Sequence, residues 1–241
     1  MQEFFFNLSI TIFAMPTPSK MKPLLVIVSA IVVAGIIALY LSRQGTAAGT
    51  EKAAGDGSQK AAPTAAAGGG GRVRGPADAP VTLLEYGDYQ CPTCGLYHPI
   101  VTELLSRYQG KLKLEFHHYP LVQMHPNALA AARAAESAGD QGKFWEMNDL
   151  LFEHQDQWSK SASAETIFLQ YAIQLGLDSN RFMQSMKSPA TQERILADVT
   201  RGNDIVKGTP TFAINGQVLQ DLPGLEGLSD FIASQLKTLG K

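Results

Sequence analysis

Only two cysteines occur in the 241 residues, separated by two positions in Cys91-Pro92-Thr93-Cys94. A disulfide across so short a loop barely constrains the unfolded chain, so this pair is not there to staple a fold. Redox chemistry or metal binding remains. The flanking residues restrict the architecture further. Val81-Thr82-Leu83-Leu84-Glu85-Tyr86 is mostly apolar and β-rich, suiting a buried central strand that ends just before the cysteines. Pro92, with fixed φ and no N–H, suits the first position of a helix running through Leu96, Ile100, Val101 and Leu104, with a kink expected at Pro99. Cys91 would then sit at a helix N-terminus, where free backbone N–H groups and the positive dipole end stabilise a thiolate. Cys94, one turn further in, is expected to be more buried and able to attack a mixed disulfide at Cys91.

The rest of the folded part reads as alternating strand and helix. Lys111 to Tyr119 alternates Leu112, Leu114 and Phe116 with polar residues, the pattern of a second strand. Helical stretches follow at Pro126–Ala138, Lys143–His154, Ala164–Leu175, Asn180–Met186 and Pro189–Val206, with Asp178 and Ser188 in capping positions. Thr211–Ile214 and Gln217–Gln220 form a hairpin around Asn215-Gly216, a strong two-residue turn signal. A last amphipathic helix carries Leu225, Leu228, Phe231, Ile232 and Leu236.

Ahead of this lie three different segments. Residues 1–23 are a leader in which Lys20 and Lys22 precede the apolar run and Met21 offers an alternative start. Residues 24–42 are apolar and long enough to cross a bilayer. The length favours an uncleaved anchor over a signal peptide, for which Thr46-Ala47-Ala48 would be the cleavage site. Residues 43–75, rich in Ala and Gly and including Gly68-Gly69-Gly70-Gly71, read as a flexible linker. The folded domain is expected at 76–241, with a helical insert at about 125–206.

A net charge of -2 gives no electrostatic reason to expect nucleic acid. His98, His117, His118, His125 and His154 could in principle add metal ligands to the cysteines. A structural zinc site, however, shows two tightly spaced ligand pairs, so no metal is expected. His98 lies four residues after Cys94 on one helical face, and a plain packed or surface histidine is preferred there to a thiol-tuning one. Trp145, Trp158, Phe144 and Phe152 are read as core.

Glu85-Tyr86-Gly87-Asp88-Tyr89-Gln90-Cys91-Pro92-Thr93-Cys94 resembles the active-site segment of DsbA-like thioredoxin-fold proteins. Gly142 to Phe152 (GKFWEMNDLLF) is similar to a helix of that family's inserted helical domain, and Gly208-Thr209-Pro210-Thr211-Phe212 to its cis-proline loop. The resemblance covers about residues 76–240. It implies an α/β thioredoxin-like fold with an inserted helical domain, here behind an N-terminal membrane segment and a flexible linker. It further implies redox cysteines Cys91 and Cys94, Pro92 and Thr93 as tuning residues, and Pro210 as the cis-proline. The backbone beside Thr209 would pair with an extended substrate. Glu85 would be a buried acid moving protons to and from Cys94, the alternative being an outward-facing charge at a strand end.

The implied activity is extracytoplasmic thiol-disulfide exchange in protein or peptide substrates, with no cofactor beyond the Cys91–Cys94 disulfide. A redox partner would regenerate the pair, and the N-terminal segment would hold the protein at the inner membrane, facing the periplasm. Thr209 departs from the branched apolar residue of the best-known oxidases, which leaves direction open, with oxidase ahead of reductase and isomerase. The competing class is a membrane-tethered, non-catalytic module using CxxC to bind metal or thiols.

Overall fold

A computed structural model describes residues 71–241, and the leader, the membrane segment at 24–42 and most of the linker lie outside the described residues. Among the described residues no helix is long and apolar enough to cross a membrane.

The centre of the fold is β2 (Val81–Gly87), of which every residue but Thr82 is buried. A strand covered on both faces needs apolar residues throughout rather than in alternation, as VTLLEY supplies. β2 pairs in parallel with β3 (Leu112–His118) and antiparallel with β4 (Thr211–Ile214), so Glu85 stands between Phe116 and Phe212. β1 (Arg72–Arg74) closes one edge against β3 and β5 (Gln217–Val218) the other against β4, giving the order β1-β3-β2-β4-β5. Asn215 (φ 47°) and Gly216 (φ 84°) both occupy the left-handed region, the requirement of the tight hairpin turn read from Asn-Gly.

α1 (Pro92–Arg107) leaves the end of β2 with Pro92 in its first turn and Pro99 inside it. After β3 comes the helical insert: α2 (Ala128–Gly139), α3 (Phe144–Glu153), α4 (Gln155–Trp158), α5 (Ala164–Gln174), α6 (Ser179–Met186) and α7 (Pro189–Gly202). Met147, Leu151, Trp158, Phe168, Phe182 and Ile195 are fully buried in its core. Each such side chain contributes about 1.5–3 kcal/mol relative to an exposed one. Ala131, Ala134, Ala135 and Ala138 give α2 a small-residue face on which the neighbouring helices pack. Asp178 and Ser188 cap α6 and α7 by accepting the N–H groups of Arg181 and Ala190. α8 (Leu225–Thr238) returns to the sheet, where Leu228 and Ile232 join Val81, Leu83, Leu104 and Phe212 in a second core.

Four expectations need correction. The first strand among the described residues starts at Arg72, inside the stretch read as linker and four residues before the expected domain start at Pro76. Three residues with two arginines carry no strand periodicity. β1 is held instead by pairing with the edge of β3 and by Arg72 and Arg74 reaching Glu136 and Asp149. The helix expected to Val206 stops at Gly202, because Gly-Asn-Asp is a poor helical continuation and Val206 turns into a cluster with Leu84 and Tyr86. The last strand is two residues, not four. Phe231 is exposed, since Leu228 and Ile232 already fill the core-facing stripe of α8.

Candidate redox site

Two local features present the cysteines. Asp88 accepts the N–H of Gln90 on its own Oδ1 at 2.8 Å, a short side-chain turn, and its carbonyl accepts the N–H of Cys91 at 3.1 Å. The chain therefore turns sharply out of β2, and Cys91 becomes the N-cap residue of α1 with extended backbone (φ -68°, ψ 121°). Gly87 lets the end of β2 lie close against Phe116, because a Cβ there would stand 2.4 Å from that ring.

The two sulfurs meet different surroundings. The Cys91 thiol donates to the carbonyl of Thr209 at 3.2 Å, on a loop whose Thr209–Pro210 peptide bond is cis. A hydrogen bond from Cys94, together with the Thr209 side chain and the backbone N–H groups of Thr93 and Cys94, outweighs burial and lowers the Cys91 thiol to about 5. Thr209 Oγ1 is buried beside that sulfur. Cys94 is completely buried, and burial pushes its thiol well above the ordinary range, with its bond to Cys91 and the charge of Glu85 adding to the rise. Its sulfur accepts the Asp88 N–H at 3.5 Å.

Glu85 is buried on β2 rather than facing outward, and burial alone raises its carboxyl to about 8. A carboxyl in that range is protonated at neutral pH and can release a proton to, or take one from, its surroundings. Cys91, Cys94, Thr209, Pro210 and Glu85 thus converge at one end of the sheet. Pro92 occupies the first turn of α1; Thr93 contributes its N–H toward Cys91. Beside the Thr209–Pro210 loop lies an open groove of about 310 Å³, lined among others by Ile205, Lys207, Thr211, Leu219 and Leu222.

The histidines disperse. His98 stacks on Phe152 and lies 3.7 Å from Asp149, as a packed side chain. His117, beside Glu115 and Asp198, and His118, beside Glu136, are both buried. Among the described residues no group of three His, Cys, Asp or Glu side chains is arranged to hold a metal ion. Trp158, Phe144 and Phe152 are core residues.

Sequence reasoning overlooked the side chains that secure the redox turn. Gln155 donates to the carbonyls of Tyr89 (2.7 Å) and Cys91 (2.9 Å), Gln90 donates to Ser159 and accepts from Asn127, and Tyr89 donates to Asn148. His125 reaches Asp88. The Asp88 turn was readable from its position two residues before Gln90; partners 30 to 70 residues away carry no local signal.

A family profile described as thioredoxin matches residues 68–234. The chain belongs to the thioredoxin family. Among solved thioredoxin-like structures it is similar to oxidised BdbD from Bacillus subtilis (TM-score 0.66, 21% identity, covering 73% of this chain and 98% of that one). It also resembles alpha-DsbA1 from Wolbachia pipientis (TM-score 0.62, 20% identity, 70% and 92% covered). A thioredoxin-like oxidoreductase from Silicibacter pomeroyi aligns with TM-score 0.60 and 25% identity over 70% and 93% of the two chains. The fold is therefore the DsbA-type variant of the thioredoxin fold, mixed α/β with inserted helices. Among curated proteins, Na(+)/H(+) antiporter NhaA 1 of Salinispora arenicola is 44% identical over 164 residues, which is 67% of this chain and 24% of the antiporter. This thioredoxin-family chain thus spans about a quarter of that relative's length.

Proposed function

We propose that the chain is a protein thiol-disulfide oxidoreductase acting through Cys91 and Cys94, and that it works as a disulfide donor. The supporting observation is the asymmetry of the two thiols: one poised as a thiolate at a helix N-terminus, its neighbour buried and held as a thiol. In the oxidised enzyme a substrate thiolate attacks Cys91 Sγ, the Cys91–Cys94 bond breaks, and Cys94 leaves with the electron pair. Glu85 supplies the proton that Cys94 then takes up. A second substrate thiolate attacks the substrate sulfur of the mixed disulfide and Cys91 leaves as a thiolate. Two electrons pass from substrate to enzyme, and a redox partner must remove them. Stabilising the Cys91 thiolate favours the reduced enzyme and so makes the disulfide the stronger oxidant.

An extended protein segment is the natural substrate of the groove beside Thr209 and Pro210, its backbone pairing with the main chain of that loop. No cofactor is required beyond the cysteine pair. The apolar run at 24–42 supports an extracytoplasmic, inner-membrane-anchored placement, where disulfides persist.

Cys91→Ser is expected to abolish turnover of a thiol peptide, and Cys94→Ser to accumulate mixed disulfides visible on non-reducing gels. Retained turnover in both variants would remove the mechanism. Equilibration of the pair with glutathione gives the direction: a potential near -120 mV, the order of magnitude for DsbA, supports the donor role, and one near roughly -270 mV makes the chain a reductase.

A further inference from the structure

Asp88 is buried and lies three residues before Cys91 and six before Cys94. Its Oδ2 receives the Leu121 N–H at 2.9 Å and stands 2.7 Å from His125 Nδ1, while Oδ1 receives the Gln90 N–H. Both Asp88 oxygens already accept a backbone N–H, and the His125 tautomer that donates from Nδ1 completes the set. The Asp88 main chain touches both redox residues: its N–H points at Cys94 Sγ and its carbonyl receives the Cys91 N–H. The side chain of Asp88 is wholly buried and that of His125 nearly so, at 0% and 16% exposure, so the pair is poorly screened by water. His125 ends a loop after β3 that shows Val122 and Met124 to solvent, and two residues later the Asn127 N–H donates to Gln90 Oε1.

We propose that His125, acting through Asp88, is a positioning residue for the redox turn: its hydrogen bond holds the carboxylate that aims the Asp88 backbone at both cysteines. The inference rests on Cys91 being the nucleophile. Without His125 the carboxylate loses one of its three hydrogen-bond partners, and the loosened turn disfavours the Cys91 thiolate. A purely structural His125 would alter stability and leave the thiol unchanged.

The test uses the full chain with His125→Ala and His125→Asn, the amide keeping a donor where Nδ1 stands. The readouts are the pH profile of Cys91 alkylation by iodoacetamide, the melting temperature, and the equilibrium of the pair with glutathione. The Ala variant is expected to move the alkylation midpoint up by about one pH unit and to make the pair less oxidising, by about tenfold in the equilibrium constant. The Asn variant is expected to recover most of both. A folded Ala variant with the wild-type profile and equilibrium overturns the proposal, as does an Asn variant displaced as far as Ala. If the Ala variant fails to fold, the Asn variant decides alone: near-wild-type values support the role, and a full displacement overturns it. Wild-type protein whose cysteines neither alkylate at low pH nor equilibrate with glutathione would instead defeat the oxidoreductase reading on which the inference stands.

Discussion

Two buried glutamates occupy opposite ends of the electrostatic range. Glu136, on α2 in the helical insert, accepts from Arg72 Nε at 2.8 Å and from Arg194 Nε at 2.5 Å, with His118 Nε2 at 3.2 Å. Burial opposes its ionisation, yet the hydrogen bonds and charges of His118 and Arg72 hold its carboxyl far below the ordinary range. Glu85, at the redox end of β2, is buried as deeply and has no basic side chain among the causes of its shift, which is burial alone. One carboxylate fastens β1, β3, α2 and α7 together. The other is kept protonated near a sulfur. The same residue type is thus an anchor where its charge is matched and a neutral buried acid where it is not, and only the second costs the fold stability.

The largest effect expected from breaking this contrast is in the anchor. Glu136→Ala leaves two arginines without their buried partner, and should lower unfolding free energy by about 3–5 kcal/mol in urea denaturation. A loss well under this would mean the arginines re-pair with Asp140, which already accepts from Arg194.

Glu85→Gln should act in the opposite direction and depend on pH. In the unfolded chain this carboxyl ionises from about 4.5, and in the folded protein only around 8. Between those values the folded state binds more protons, so stability contributed by the neutral group falls as pH rises through the window and levels off above it. The Gln variant should match wild type below the window and exceed it by several kcal/mol, as an order of magnitude, near pH 8. Chemical melts at pH 4.5, 6 and 8 check the sign; a gain independent of pH would show that ionisation is not involved. Formation of mixed disulfides should slow in the same variant at neutral pH.

The smallest effect belongs to a cap within the insert. Asp178→Ala removes the acceptor of the Arg181 N–H and should cost about 1 kcal/mol, with no change in the Cys91 alkylation profile. Any change there would mean that α6 communicates with the redox turn.

How much of this was readable depends on the range of each interaction. The strand before the cysteines, Pro92 opening α1, the caps at Asp178 and Ser188 and the Asn215-Gly216 turn are all set by residues within a few positions, and the structure has them as expected. β1 was missed because its partners, Phe116 and Glu136, are remote in sequence. Phe231 was misassigned because helical periodicity defines a stripe and not which member of it meets the core.

For the redox end the division is the same. The sequence by itself determined that two cysteines share one helical turn behind a buried strand, because spacing and backbone preference are local properties. Tertiary structure alone decided that Glu85 lies inward without a counter-charge, that Thr209 faces Cys91, and that His125 meets Asp88 across 37 positions. Those outcomes depend on desolvation and on contacts that exist only once the sheet and the helical insert have packed, and desolvation is a property of the assembled interior rather than of any stretch of chain.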